Sequence, residues 1–382
     1  YLQMKNILKL VAIICPMLIS SCANTNKTDA EKGIDVISIN KSGRFTSDTL
    51  VESVTYLGLK PLDDCEISGI DKIVRVDSLY VIGDFRRGII CAYDSESGNP
   101  GFIINNIGQG PGEYSELSCF CCDKSRIYVV DNRRQQMLAY DALSGKFIES
   151  KRMPIIPDDV ESLDNGGFLF VTVPLGSRRK LPNSNHRVHI SDKDLNIVDN
   201  LFEYKDDEFD PIGQRYYLTK NNNKIVFGSL MFDGYTVMDD RDPSKYHQVK
   251  IDFKNGLQGK SDIDMRDVKN YDHLTLPPFI SGNNAIISYT LGDGYIEYGL
   301  WNKDVNGILP MPSDNISKAI MPVVGVDGDK FIGYYDSYDR YKSAVDHGFA
   351  KASESVEDIL KSEGSALVIY KMRQQVPSNT EN

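Results

Sequence analysis

Leu79-Tyr80-Val81-Ile82-Gly83-Asp84-Phe85-Arg86-Arg87, with Ile89-Ile90-Cys91-Ala92-Tyr93-Asp94 and Ser97-Gly98 behind it, has a second copy further along. The copy is Ile127-Tyr128-Val129-Val130-Asp131-Asn132-Arg133-Arg134, then Met137-Leu138-Ala139-Tyr140-Asp141 and Ser144-Gly145. Asp84 and Asp131 are 47 residues apart, and so are Asp94 and Asp141. Each copy reads as strand, tight turn, strand, glycine-bearing turn and strand. The Asp and Gly at the turns tolerate left-handed backbone. A fixed period in the forties built from short β-rich runs is the pattern of propeller blades.

Between the copies lies Gly108-Gln109-Gly110-Pro111-Gly112-Glu113-Tyr114. With residues 119–123, 128–131, 132–134 and 140–145, this loop resembles an NHL-type propeller repeat over about forty residues. That repeat combines a G-x-G-P-G-[QE]-aromatic loop, a small-residue inner strand ending in Asp, an aromatic-Val-x-Asp strand, an Asn-x-Arg turn and an aromatic-Asp-x-x-Gly hairpin. The match recurs more loosely over residues 73–112. The whole chain resembles the six-bladed β-propeller lipoproteins of Bacteroidota. That resemblance implies an all-β, six-bladed propeller of four-stranded antiparallel blades.

Later blades are less regular. Residues 160–202, 216–253 and 284–309 read as the third to fifth, and 330–335 with 366–370 as the sixth. Alternating residues 51–59 are expected to pair with 367–372 and close the ring, since an open edge is an aggregation template. Val345, Phe349, Ala352, Val356, Ile359 and Leu360 recur at helical spacing, so residues 343–361 predict a helical excursion in the last blade. The expected organisation is a signal at 1–21, a tether and entry segment at 22–46, the propeller at 47–373 and a disordered tail at 374–382.

Export is read from the first residues. Met4-Lys5-Asn6 begins a basic stretch, residues 10–19 are apolar, and Ile19-Ser20-Ser21-Cys22 resembles the bacterial lipobox, whose cysteine carries lipid. About ten apolar residues are too few to cross a ~30 Å hydrocarbon core. The expectation is a cell-envelope protein held by lipid at Cys22, at the outer membrane on its periplasmic or surface side, with no other membrane contact. Removing Cys15 and Cys22 from the seven cysteines leaves five, an odd number that cannot form a complete disulfide framework.

The 382 residues carry 43 Lys+Arg against 54 Asp+Glu, a formal charge of −11, with 41% hydrophobic residues and a mean hydropathy of −0.32. Such an acidic chain is no general nucleic-acid binder, because phosphate neutralisation needs a basic surface. Cys119, Cys121 and Cys122 fall on inner-strand positions, where a free cysteine is a small buried hydrophobe. His186 and His189 stand three apart on a strand and so point to opposite faces. There is no G-x-S-x-G elbow. Asp84, Asp123, Asp131 and Asp327 are numerically able to hold a cation, but aspartate at a strand end is ordinarily a turn cap.

A basic cluster stands out instead. The turn between the second and third strands of a blade shares a ring face with the loop joining successive blades. That places Arg86, Arg87, Arg133 and Arg134 beside Gly110, Gly112, Glu113 and Tyr114, with residues 178–180 as a further basic turn. Arginine suits carboxylate or phosphate recognition. The expected function is non-enzymatic recognition of a protein or glycan partner, anionic in character, through this face, with no cofactor and no metal. The alternative is a lactonase- or lyase-like hydrolase holding a divalent cation in the central channel.

Overall fold

A computed structural model describes residues 28–29, 34–43, 50–62, 67–174, 185–204, 210, 213–260, 263–264, 266–305, 307–311 and 320–374. Six antiparallel sheets follow one another along the chain and close into a six-bladed β-propeller. Blade 1 takes Lys72–Val76, Leu79–Asp84, Ile89–Asp94 and Pro100–Ile104 from hub to rim. Blade 2 takes Cys119–Cys122, Arg126–Asp131, Gln136–Asp141 and Phe147–Arg152, and blade 3 Asp159–Ser162, Phe168–Val171, His186–Ser191 and Ile197–Glu203. Blade 4 takes Leu218–Asn221, Lys224–Gly228, Gly234–Asp239 and Tyr246–Ile251.

Middle strands such as Ile89–Asp94 are apolar on both faces because each blade is covered by a neighbour on either side. A hydrophobic cluster fills each of the six blade interfaces. Between blades 1 and 2, for example, Val81 and Ile90 meet Phe120 and Val129, all fully buried. Each such side chain contributes roughly 1.5–3 kcal/mol. The ring therefore rests on six small cores.

Closure is as expected from the alternating residues 51–59. Val51–Leu59 forms the rim strand of the last blade, antiparallel to Ser365–Met372. Gly98, in the glycine turn of blade 1, lies against this closing strand at φ +67°. Its carbonyl accepts from the Lys60 amide, and a Cβ at Gly98 would collide with the carbonyl of Gly58. A repeat glycine thus permits the seam between the first and last blades.

Three features depart from the sequence reading. The tether and entry segment includes an ordered strand, Ile34–Ile37, not read from the sequence, which adds parallel to Tyr246–Ile251 on the rim of blade 4. It continues into blade 5, where Ile308 N–H donates to the Ser38 carbonyl and Asn40 N–H to the Ile308 carbonyl. In blade 5 the inner strand, absent from the sequence reading, is split into Asp272–Leu274 and Phe279–Ser281, which both pair with Asn284–Leu291. Pro277 and Pro278 interrupt it because proline donates no ladder hydrogen bond. The excursion in blade 6 is two helices, α1 (Tyr338–Asp346) and α2 (Glu354–Lys361), rather than one. Gly348 breaks them at φ +96°, and Tyr341 joins them by accepting from Ala352 N–H and donating to Glu357. The leader, Cys22, Cys65 and the tail from 375 lie outside the described residues.

Candidate functional site

The two repeat aspartates build one ring face. Asp84 caps its turn by accepting from Arg87 N–H, while its other oxygen accepts the amide and hydroxyl of Ser68 at 2.7 Å each. Asp131 does the same with Arg134 N–H, Ser115 N–H and Ser115 Oγ. Both carboxylates are buried and tie an arginine turn to the loop entering the same blade. Asp123 is held by Ser125, Arg126 and Tyr128, and Asp327 by Arg75 and Tyr80. These four aspartates are therefore separate caps and pairs. Among the described residues no three His, Cys, Asp or Glu side chains converge as a metal cluster.

Arg86, Arg87, Arg133 and Arg134 are exposed at adjacent turns. Arg134 donates to the Glu113 carbonyl at 2.9 Å, and Arg133, 73% exposed, pairs with Glu116 at 3.1 Å. Among the described residues Arg86 makes no ion pair. The glycine loop is less open than its sequence suggests. Gly110 N–H donates to the Glu113 carboxylate at 2.7 Å, and Gly108 N–H to the Tyr114 carbonyl. Tyr114 is 0% exposed, its hydroxyl bonded to the Gly88 and Ile104 carbonyls, and Gly112 is buried too. The loop thus braces the arginine turns, and the guanidinium groups are what the face displays. Residues 178–180 lie outside the described residues.

The opposite face opens into a cup of about 930 Å³ at the hub. Its wall is the inner strands and the turns that follow them. At the inner end, Lys72 reaches across two blades, with Nζ 2.6 Å from Glu161, 2.9 Å from the Phe120 carbonyl and 3.9 Å from Asp159. Burial pulls this ammonium down, but Glu161 and Asp159 outweigh it and hold its pKa above the ordinary value. Burial also raises Asp159 to about 6, against the pull of Lys72. Asp159 accepts from the Tyr217 and Leu218 amides, which ties blade 3 to blade 4. Arg215 of the loop entering blade 4 pairs with Asp71 of blade 1 at 2.8 Å, across the ring.

Further hydrogen bonds bridge the inner strands. Ser162 donates to the Cys122 carbonyl, Lys220 to the Ser162 carbonyl and Thr219 to the Pro278 carbonyl. Asn221 donates to the Ile280 and Gly328 carbonyls, and Ser281 to the Gly328 carbonyl. An innermost strand has no sheet neighbour on its hub side, so these side chains satisfy carbonyls that would otherwise lack a partner. Sequence reasoning missed this layer. Its signal was charge inside apolar inner strands, Lys72 before Ile73-Val74 and Asp159-Val160-Glu161.

The cysteines of the inner strand of blade 2 are buried and free. Burial pushes their thiols up, so they remain protonated. His189 is buried between Thr172 and Asn200, and burial lowers its pKa.

A six-bladed propeller with an arginine face and a hub cup is the class defined by this geometry. The chain belongs to the family of domains of unknown function designated DUF4934, which matches residues 32–369. A Bacteroides fragilis structure, named for inferred export, is 17% identical with a TM-score of 0.69 and covers 88% of this chain and 99% of its own. A member of the DUF4221 family from Bacteroides vulgatus is 11% identical with a TM-score of 0.52, covering 85% and 97%. At these identities the likeness is one of fold. No curated protein matches. No helix among the described residues is long and apolar enough to cross a membrane.

Proposed function

We propose that the chain is an exported, lipid-anchored binding propeller of the cell envelope that recognises an anionic protein or glycan through its arginine face. The observation that carries this reading is the display of four exposed guanidinium groups on turns fixed from below by buried Asp84 and Asp131. Fixed turns reduce the ordering cost of binding, and guanidinium is suited to planar anions. The inferred export of the Bacteroides fragilis relative supports the compartment, as does the lipobox-like Ile19-Ser20-Ser21-Cys22.

Immobilised polygalacturonate tests the face. The wild-type domain is expected to elute at higher salt than Arg86→Ser/Arg87→Ser/Arg133→Ser/Arg134→Ser, with equal thermal midpoints. Equal elution would count against it. For the anchor, the full chain expressed in a bacterial host is expected to incorporate labelled palmitate and to lose the label in Cys22→Ala; label retained in that variant refutes lipidation there.

A further inference from the structure

The geometry points to the hub cup as a second ligand site, on the face opposite the arginines, for a neutral, hydroxyl-rich molecule of short-saccharide size. The cup is a single recess of about 930 Å³, within the ~300–1,000 Å³ of small-molecule sites.

Tyr216 supplies the second observation. It is 4% exposed, packs its ring against Phe279 at 6.2 Å between centroids, and lines the cup. Buried tyrosine hydroxyls ordinarily find a partner. Tyr114, Tyr217 and Tyr370 do so in this chain. The Tyr216 hydroxyl has no hydrogen-bond partner among the described residues, so a ligand group in the cup can provide one.

Charge selects the chemistry. The charged side chains around the recess are largely matched in pairs: Lys72 with Glu161, Arg75 with Asp327, Lys220 with Asp240, Arg241 with Asp164. Matched pairs set donors beside acceptors, and the further charges of the lining, Asp71, Asp77 and Asp123 against Lys124, leave an acidic excess that disfavours an anion. A hydroxyl, which both donates and accepts, can bridge such pairs. An anion would meet Glu161 at the inner end and Asp77 and Asp123 of the turns, and a cation would meet Lys72 and Lys220. Exposed Asn222 and Asn223 add amides to the recess lining.

The test is saturation-transfer NMR on the untethered domain with neutral hexose and N-acetylhexosamine di- to tetrasaccharides, against oligogalacturonate and chitosan oligomers of equal length. At least one neutral saccharide is expected to bind. Tyr216→Phe should weaken it about tenfold, the scale of one neutral hydrogen bond, and should leave the thermal midpoint unchanged because no protein hydrogen bond is lost. Asn223→Trp, at an exposed position of the lining, should abolish binding. The fourfold arginine variant should bind as wild type does, which separates this site from the arginine face. Absence of transfer from every neutral saccharide, stronger binding of a charged oligomer, or binding indifferent to both Tyr216→Phe and Asn223→Trp would overturn the proposal.

Discussion

Lys72→Met is expected to cost about 3–5 kcal/mol of unfolding free energy at pH 7.5, the scale of a buried ion pair broken from one side. Lys72 is the only cation within ion-pair distance of Asp159 and Glu161 among the described residues, and both carboxylates are almost wholly buried. The loss should shrink as pH falls. Without the ammonium, buried Asp159 takes up its proton in the folded variant at higher pH than in the unfolded chain. Folding then binds protons, and acid stabilises the variant relative to wild type. Asp159 already has this sign in the wild type. Its pKa is raised from 3.8 to about 6, so its favourable contribution is present below 3.8 and is lost as pH rises through about 6. Urea titrations at pH 7.5 and 5 measure the effect. A cost under about 1 kcal/mol, or one independent of pH, contradicts this account. Lys72→Met/Asp159→Asn/Glu161→Gln should recover much of the loss, since it removes the charges together.

Asp131→Ala is expected to cost about 3 kcal/mol, since one fully buried carboxylate holds three donors from two loops. The matching change at Asp84 should behave alike, because the device is a repeat. Asp131→Asn keeps an acceptor oxygen and should lose less than half as much. Thermal and urea midpoints of the three variants decide it. If Ala and Asn prove equally mild, the aspartate does not hold the turn.

These repeat aspartates were legible because turn chemistry is local: Asp, Gly and an aromatic residue recur 47 residues apart. The ring closure by Val51–Leu59 was legible for the same reason, since alternation marks a strand with one exposed face. The added strand Ile34–Ile37 was not, because four residues pairing with Gln248–Ile251 leave no local periodicity. The divided inner strand of blade 5 was hidden because Pro277-Pro278 interrupt its strand pattern. At the arginine face the positions were legible, whereas the burial of Tyr114 depended on a carbonyl 26 residues away. The hub layer was least legible. Lys72 meets Glu161 only because a strand from each blade points its start toward one axis.

The closing strand has a temporal consequence. Glu52 and Lys371, which pair across the seam, are 319 residues apart. The strand that seals the circle is made before blade 1, and its partner is the last strand of the ring to follow. Until then Val51–Leu59 has no sheet to join, and the growing series of blades ends in open edges of the kind that stick to other chains. Completion is late and non-local, which favours slow folding. The polypeptide accordingly spends its most vulnerable interval as an unfinished arc.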